Sequence, residues 1–148
     1  MRIAFINPPF LPKFSRGQRS PGVTKVGTLY YPYWLALACG WAQKKGNEIW
    51  LLDFVASSDD EPAAIKKVKD FAPQLAVIET STPSILNDIK FAKALKHRLK
   101  NCFLLLVGTH PTVMPKWTLN QAREIDAVAI GEYDQTVVDL ASALAREE

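Results

Sequence analysis

Short apolar runs alternate with helix-period patterns along nearly the whole chain. The runs Arg2–Asn7, Glu48–Asp53, Gln74–Glu79, Cys102–Val107 and Asp126–Ile130 are dense in Ile, Val, Leu and Phe. They are close to continuous rather than alternating, as expected of parallel strands covered on both faces. Five helix candidates lie between or after them: Tyr33–Lys45, Pro62–Phe71, Ile85–Lys100, a short piece at Lys116–Arg123, and Gln135–Arg146. The third places Ile85, Ile89, Ala92, Leu95 and Leu99 on one stripe, with Thr82 or Ser84 available to cap its start. Gly46 follows Lys44-Lys45 as a helix stop should. Pro62 fits a first turn, with Asp59 or Asp60 ahead of it as N-cap.

Repeated strand–helix units predict a three-layer α/β sandwich joined by right-handed crossovers. We expect the flavodoxin-like, Rossmann-like arrangement, a five-stranded parallel sheet in the order 2-1-3-4-5 with its switch point between the first and third strands. In such a sheet ligands bind outside the carboxyl ends of the strands. Two of those ends stand out. Cys102–Val107 stops at Gly108-Thr109-His110-Pro111-Thr112, and Asp126–Ile130 stops at Gly131-Glu132-Tyr133-Asp134. Gly108 and Gly131 read equally well as tight-turn residues or as places where a ligand approaches the backbone.

The first connection breaks the pattern. About twenty-five residues, Pro8–Pro32, separate the first strand from the first helix, where about two to six are usual. The segment carries Lys13, Arg16, Arg19 and Lys25 with no acid, and the aromatics Phe10, Phe14, Tyr30 and Tyr31. It is either a mobile surface insertion or a basic, aromatic-tipped flap that closes on an anionic ligand or on another domain.

Composition narrows the classes. With 148 residues, 48% hydrophobic and 22% charged, the chain reads as one ordinary globular domain over residues 1–148. A net charge of +3 is too small to argue for a nucleic-acid partner. Cys39 and Cys102 sit in apolar runs and read as buried, reduced thiols, which points to a cytoplasmic location. No apolar stretch reaches the length of a membrane span. Trp34, Trp41 and Trp50 are expected in the core. Lys90, Lys93, Lys96, Arg98 and Lys100 form a basic ridge on a solvated helix face, with His97 beside them. The last residues, Ala145-Arg146-Glu147-Glu148, suit a whole protein or one domain of a longer one.

Several chemistries fail on residue type. Asn7-Pro8-Pro9-Phe10-Leu11 stands where a dinucleotide fingerprint needs glycines, and proline removes backbone donors that hold a pyrophosphate. A Walker A loop, a receiver-domain acidic pair, a nucleophile elbow and zinc-ligand spacing are all missing from the sequence. No self-contained active site is visible, so no catalytic or metal-ligating side chain is assigned. Thr80-Ser81-Thr82-Pro83-Ser84 offers four hydroxyls, read either as helix caps or as donors to a heterocycle nitrogen or an amide. Glu132 complements a helix dipole or holds a ligand amide.

These residues resemble a family. Asn7-Pro8-Pro9 after the first strand, Pro32-x-x-Leu35-Ala36-x-Ala38, and Gly46-x-Glu48-x-x-x-Leu52-Asp53 look like the N-terminal cobalamin-binding domain of cobalamin-dependent radical S-adenosylmethionine enzymes. Gly108-Thr109-His110-Pro111-Thr112 with Pro115, and Asp126-x-Val128-x-x-Gly131-Glu132-x-Asp134-x-Thr136, are similar to that family's fourth and fifth strand ends. Gly131-Glu132-Tyr133-Asp134 departs from the commoner Gly-Glu-Gly-Glu and resembles the branch of anaerobic porphyrin-ester cyclases and hopanoid-modifying enzymes.

The resemblance implies a domain that holds cobalamin at the strand ends for a methyltransferase or cyclase. Asp-x-His-x-x-Gly, whose histidine ligates cobalt from below in other cobalamin proteins, is replaced here by the Asn7-Pro8 segment. The implied cofactor is therefore base-off, and metal binding is through its cobalt alone. Its tail would enter between the ends of strands 1, 3 and 4, against Thr80, Ser81, Thr82 and Ser84. Gly108 would leave it room, so a valine there should block the tail and spare the fold. Thr109, His110, Pro111, Gly131, Glu132 and Tyr133 complete the implied cofactor site, with His110 a ligand neighbour or a structural residue rather than a cobalt ligand. The C-x-x-x-C-x-x-C site for a 4Fe-4S cluster is absent. S-adenosylmethionine and the cluster would belong to a C-terminal radical barrel outside this chain, the implied partner domain. The rival readings are a flavin- or nucleotide-binding module in the same crevice, and a partner-docking domain with no small ligand.

Overall fold

A computed structural model describes residues 1–17 and 20–146. Arg19 of the basic loop and the terminal Glu147 and Glu148 lie outside the described residues. Five parallel strands, β1 (Arg2–Asn7), β2 (Glu48–Asp53), β3 (Leu75–Thr80), β4 (Phe103–Gly108) and β5 (Ala127–Val128), form one sheet in the order β2-β1-β3-β4-β5. That is the order expected. The central strand β3 is buried at all six positions, which is why its sequence shows no polar alternation.

Helices cover both faces. Against one lie α1 (Tyr33–Lys44) and the C-terminal helix α6 (Asp134–Ala145), packed on Ile3, Phe5, Leu75, Val77, Leu105 and Val107. Against the other lie α2 (Glu61–Phe71) and α3 (Ile85–Arg98), packed on Ala4, Ile6, Ala76, Ile78, Leu104 and Leu106. The period of two along β3 thus sends Leu75 and Val77 to the α1/α6 face and Ala76 and Ile78 to the α2/α3 face.

Local signals explain most boundaries. Asp60 Oδ1 accepts from the Ala63 amide at 2.9 Å and starts α2, with Pro62 in its first turn. Gly46, at φ +87°, donates to Gln43 at 2.9 Å and ends α1. Asp126 does not extend β5. Its carboxylate instead accepts from the Leu104 amide and from Lys96 Nζ, both at 2.7 Å, pinning the start of β5 to β4. Lys96 also donates to the Cys102 carbonyl at 2.8 Å, so it leaves the expected solvated ridge.

The fold corrects further expectations. Trp34 (55% exposed) and Trp50 (38% exposed) are surface residues, and Trp41 is half-buried with its indole N–H donating to Gln135 of α6 at 3.1 Å. Cys39 is only half-buried, whereas Cys102 is buried; burial pushes their thiols up to about 11 and about 12. At the fourth strand end a short helix, α4 (Thr109–Val113), begins immediately and is followed by α5 (Pro115–Asn120), where one short piece at Lys116–Arg123 was expected. Among the described residues no helix is long and apolar enough to cross a membrane.

Candidate functional site

The carboxyl edge of the sheet divides into two halves with opposite character. On the α3 side the long first connection folds inward and fills the space. Arg16, 2% exposed, donates from Nη2 to Asp88 Oδ1 at 2.6 Å and from Nη1 to Asn7 Oδ1 and the Pro8 carbonyl at 2.8 Å each. Its Nε donates to Ser84 Oγ at 3.2 Å. Phe10 and Phe14 hold the guanidinium from their ring faces, with centroids 5.5 and 5.6 Å from Cζ. Ser15 bridges to Gly22 through two backbone bonds, and Asn87 reaches the Pro9 carbonyl at 2.8 Å. The described part of the connection is therefore anchored rather than a mobile insertion. Arg16 and Phe14 are buried, and only Tyr30 and Tyr31 of its aromatics are exposed.

This network also decides the hydroxyl cluster. Ser84 Oγ donates to Asp88 Oδ2 at 2.6 Å and meets Ser81 Oγ at 2.8 Å; neither side chain caps a helix amide. Thr80 Oγ1 donates to the Val107 carbonyl at 2.8 Å, tying β3 to β4. Thr82 Oγ1 faces His110 Nδ1 at 3.3 Å. The His110 ring packs edge-on against Trp117, with centroids 5.1 Å apart, and desolvation holds its pKa below the usual imidazole value. None of the four hydroxyls performs the capping expected of them, since stronger partners lie closer. Asn7, Pro8, Ser81 and Ser84 belong to the Arg16 network, while Thr82 and His110 face each other and Pro111 is buried in α4. None of these seven lines the open cleft on the opposite side of the edge.

That opposite side faces α1 and α6. A cleft of about 750 Å³ lies there between the end of β3, the β4–α4 turn, the β5–α6 turn and the start of α1. Six of the expected residues line it: Thr80, Gly108, Thr109, Gly131, Glu132 and Tyr133. Thr112 and Asp134 come from the two strand-end segments singled out in the sequence, and Arg16 and Gly17 from the first connection; Trp34, Leu37, Glu79 and Val113 were missed by sequence reading. Thr112 builds the lip: its hydroxyl donates to the Gly108 carbonyl at 2.7 Å and accepts from the Gly131 amide at 3.0 Å. The two glycine turns are thereby held by one side chain.

Gly108 plays a different part from the one expected. At φ +111° a Cβ would overlap the Thr80 carbonyl oxygen. The position needs glycine because two backbones approach there, so a valine would disturb the β3–β4 pair as well as any ligand.

Two polar atoms in this cleft are left over by the fold. Glu79 Oε2 and the Tyr133 hydroxyl are both buried without a hydrogen-bond partner among the described residues. Glu79 continues the Leu75–Val77 side of β3 into the cleft, so the strand period places it there. Burial pushes its carboxyl up to about 7; Arg16 opposes that rise, and Asp53 and Asp88 add to it. Burial also pushes the Tyr133 phenol up, with Glu79 and Asp134 adding to it. A buried unpartnered polar atom costs about 1–3 kcal/mol unless something satisfies it. Two in one cleft mark where a ligand's polar groups would sit.

Fold and cleft together define a flavodoxin-like α/β domain with a mostly apolar cleft at the carboxyl edge of its sheet. Residues 19–141 match the B12 binding domain family, and the chain belongs to that family. It is similar to the anaerobic magnesium-protoporphyrin IX monomethyl ester cyclase of Cereibacter sphaeroides, with 25% identity over 144 residues, covering 97% of this chain and 22% of that protein. The enzyme of the same description from Rubrivivax gelatinosus is 23% identical over 145 residues, covering 97% of this chain and 24% of its own length. An uncharacterized methyltransferase of Pyrococcus horikoshii is 28% identical over 121 residues, covering 82% of this chain and 26% of its own length. The chain thus spans about a quarter of the length of these curated relatives. No solved structure matches it significantly.

Proposed function

We propose that this chain holds base-off cobalamin at the carboxyl edge of its sheet and serves as the cofactor-binding part of a longer radical S-adenosylmethionine methyltransferase or cyclase. The single observation that carries the reading is the cleft of a B12 binding domain family member with two buried polar atoms, Glu79 Oε2 and Tyr133 Oη, that no described protein group satisfies. The names of its relatives, cyclases and a methyltransferase, support the reaction class.

The residues fit the group. When bound, cobalamin supplies organometallic methyl or radical chemistry that no amino-acid side chain can. Trp34, Leu37 and Val113 offer apolar surface, and Thr109, Glu132 and Asp134 offer polar groups at the mouth. The base-off form is supported by the segment after β1. Where a cobalt-ligating histidine would stand, Asn7 and Pro8 accept from a buried arginine. His110 is engaged with Thr82 and Trp117 and has no place in the cleft lining. The partner domain, with its S-adenosylmethionine and iron–sulfur cluster, would lie in the remaining three quarters of a protein built like the relatives, in the cytoplasm where such clusters survive.

The test is direct. The purified chain is mixed with hydroxocobalamin or with flavin mononucleotide, desalted, and its visible spectrum recorded. Retained cobalamin absorbance with the blue shift of a base-off form is expected. Passage of all cobalamin with retention of flavin would replace this reading by the flavin one.

A further inference from the structure

Of the polar groups at the carboxyl edge, most are spent on the protein itself. Thr80, Ser81, Thr82, Ser84 and Thr112 each have a hydroxyl partner inside the fold. Among the described residues, Glu79 Oε2 and the Tyr133 hydroxyl have none. Glu79 is 4% exposed and Tyr133 7% exposed, and both line the cleft. They come from different elements, the end of β3 and the residue before α6, yet both line the one cleft, so a ligand that fills it meets both.

The chemistry of the pair limits what it takes. An ionised carboxylate only accepts hydrogen bonds, and a phenol can donate one. A buried acid without a cation of its own favours its neutral, donating form. Among the described residues Arg16 is the cation whose charge acts on Glu79, but its three nitrogens are already bonded to Asp88, Asn7, Pro8 and Ser84. The pair thus presents hydrogen-bond donors to an acceptor atom on an otherwise flat, apolar body. An aromatic ring nitrogen has that character.

We propose that Glu79 and Tyr133 form a subsite for an aromatic ring nitrogen of the ligand, and that Glu79 and this nitrogen share one proton in the complex. The inference rests on the cobalamin reading and narrows it, since base-off cobalamin carries one such free nitrogen on its benzimidazole tail. The tail is thereby moved from the Thr80–Ser84 hydroxyls to the Glu79 side of β3. The balance is simple: where Glu79 is ionised before binding, one proton enters from solvent with the ligand, and no bond other than a hydrogen bond is made.

The surroundings of Glu79 set the range in which this shows. Arg16 from the first connection stabilises its charged form; Asp53 at the end of β2 and Asp88 on α3 oppose it; Tyr133 beside α6 stays protonated. With the free carboxyl titrating at about 7, the site is ready to donate below neutrality and must take up a proton above it.

The experiment is a titration of the chain with methylcobalamin, whose upper ligand does not titrate in this range, at pH 6.5, 7.5 and 8.5. Quenching of tryptophan fluorescence reports binding, because Trp34 lines the cleft. The dissociation constant should rise about tenfold from pH 7.5 to 8.5, and calorimetry in buffers of different ionisation enthalpy should show close to one proton taken up at pH 8.5. Glu79→Gln, which keeps a donor but cannot titrate, should bind with a constant that moves less than about twofold across the same range. Methylcobinamide, which lacks the tail, should bind without pH dependence. A flat wild-type profile, an unchanged slope in Glu79→Gln, or the same slope with methylcobinamide overturns the subsite while leaving cobalamin binding intact. If neither corrinoid binds at any pH, the cobalamin reading itself falls and the subsite with it.

Discussion

The two halves of the carboxyl edge are built from the same kinds of residue and end in opposite states. On the α3 side a buried arginine meets a buried aspartate, two serines and an asparagine, and every charge has an answer inside the protein. On the α1/α6 side a buried glutamate oxygen and a buried tyrosine hydroxyl face a cleft and have none among the described residues. The contrast teaches how a binding site is recognised without a ligand present. Polar density does not mark it, because the α3 side is denser. Unsatisfied polarity does. Arg16 is the hinge between the halves, bonded into one and lining the other, so the long first connection forms a wall of the site rather than a lid over it.

Substitutions at the filled half should have the largest effect. Asp88→Ala leaves the Arg16 guanidinium buried without its counter-charge and should cost about 3–5 kcal/mol, read from urea unfolding. Because Arg16 pins the first connection, limited proteolysis should then cut near residues 8–17. If Asp88→Ala unfolds at the wild-type midpoint, the α3 side is not the structural half.

Next in size is the pH dependence of the open half. The Glu79 carboxyl rises from an ordinary 4.5 to about 7 on folding, so the folded chain binds this proton more tightly than the unfolded one. Stability from this group is therefore full below pH 4.5 and declines as pH rises to about 7, by about 3 kcal/mol in all. Glu79→Gln should remove that decline when unfolding free energies at pH 5 and pH 8 are compared. An equal decline in the variant would assign it to other groups.

The smallest effect on stability should be the most telling about ligand. Tyr133→Phe deletes a buried hydroxyl that has no partner among the described residues, so the ligand-free chain should be unchanged or up to about 1 kcal/mol more stable. Cobalamin retention should nevertheless fall at least about fivefold. A stability loss with retention unchanged would make Tyr133 a structural residue.

The sequence was most legible where physics is local. Continuous apolar runs marked the strands and their parallel pairing, and the order 2-1-3-4-5 expected of a flavodoxin-like arrangement is the one observed. Gly108 and Gly131 were visible as strand ends, although the reason for Gly108 was not, because Thr80 approaches it from a strand distant in sequence. Glu79 could have been found: it continues the Leu75–Val77 alternation, so a charged residue there must face the α1/α6 layer. Asp88, an acid set within the apolar stripe of Ile85, Ile89 and Ala92, announced a buried partner in the same way. What could not be read was the identity of that partner. Arg16 lies in a connection without periodicity, and only the folded chain brings it across 72 positions to Asp88. That one pairing claimed the serines expected to meet a ligand.

The central claim is that the ligand enters the half with unanswered polar atoms and not the half that Arg16 has filled. Backbone amide shifts of the isotope-labelled chain, recorded with and without methylcobalamin, test it most directly. The account predicts the largest shifts at Glu79–Thr80, Gly108–Val113 and Gly131–Asp134, with the amides of Ser84–Asp88 little moved. Shifts centred on Ser84–Asp88 and Asn7–Phe10, with Gly131–Asp134 unmoved, would contradict it.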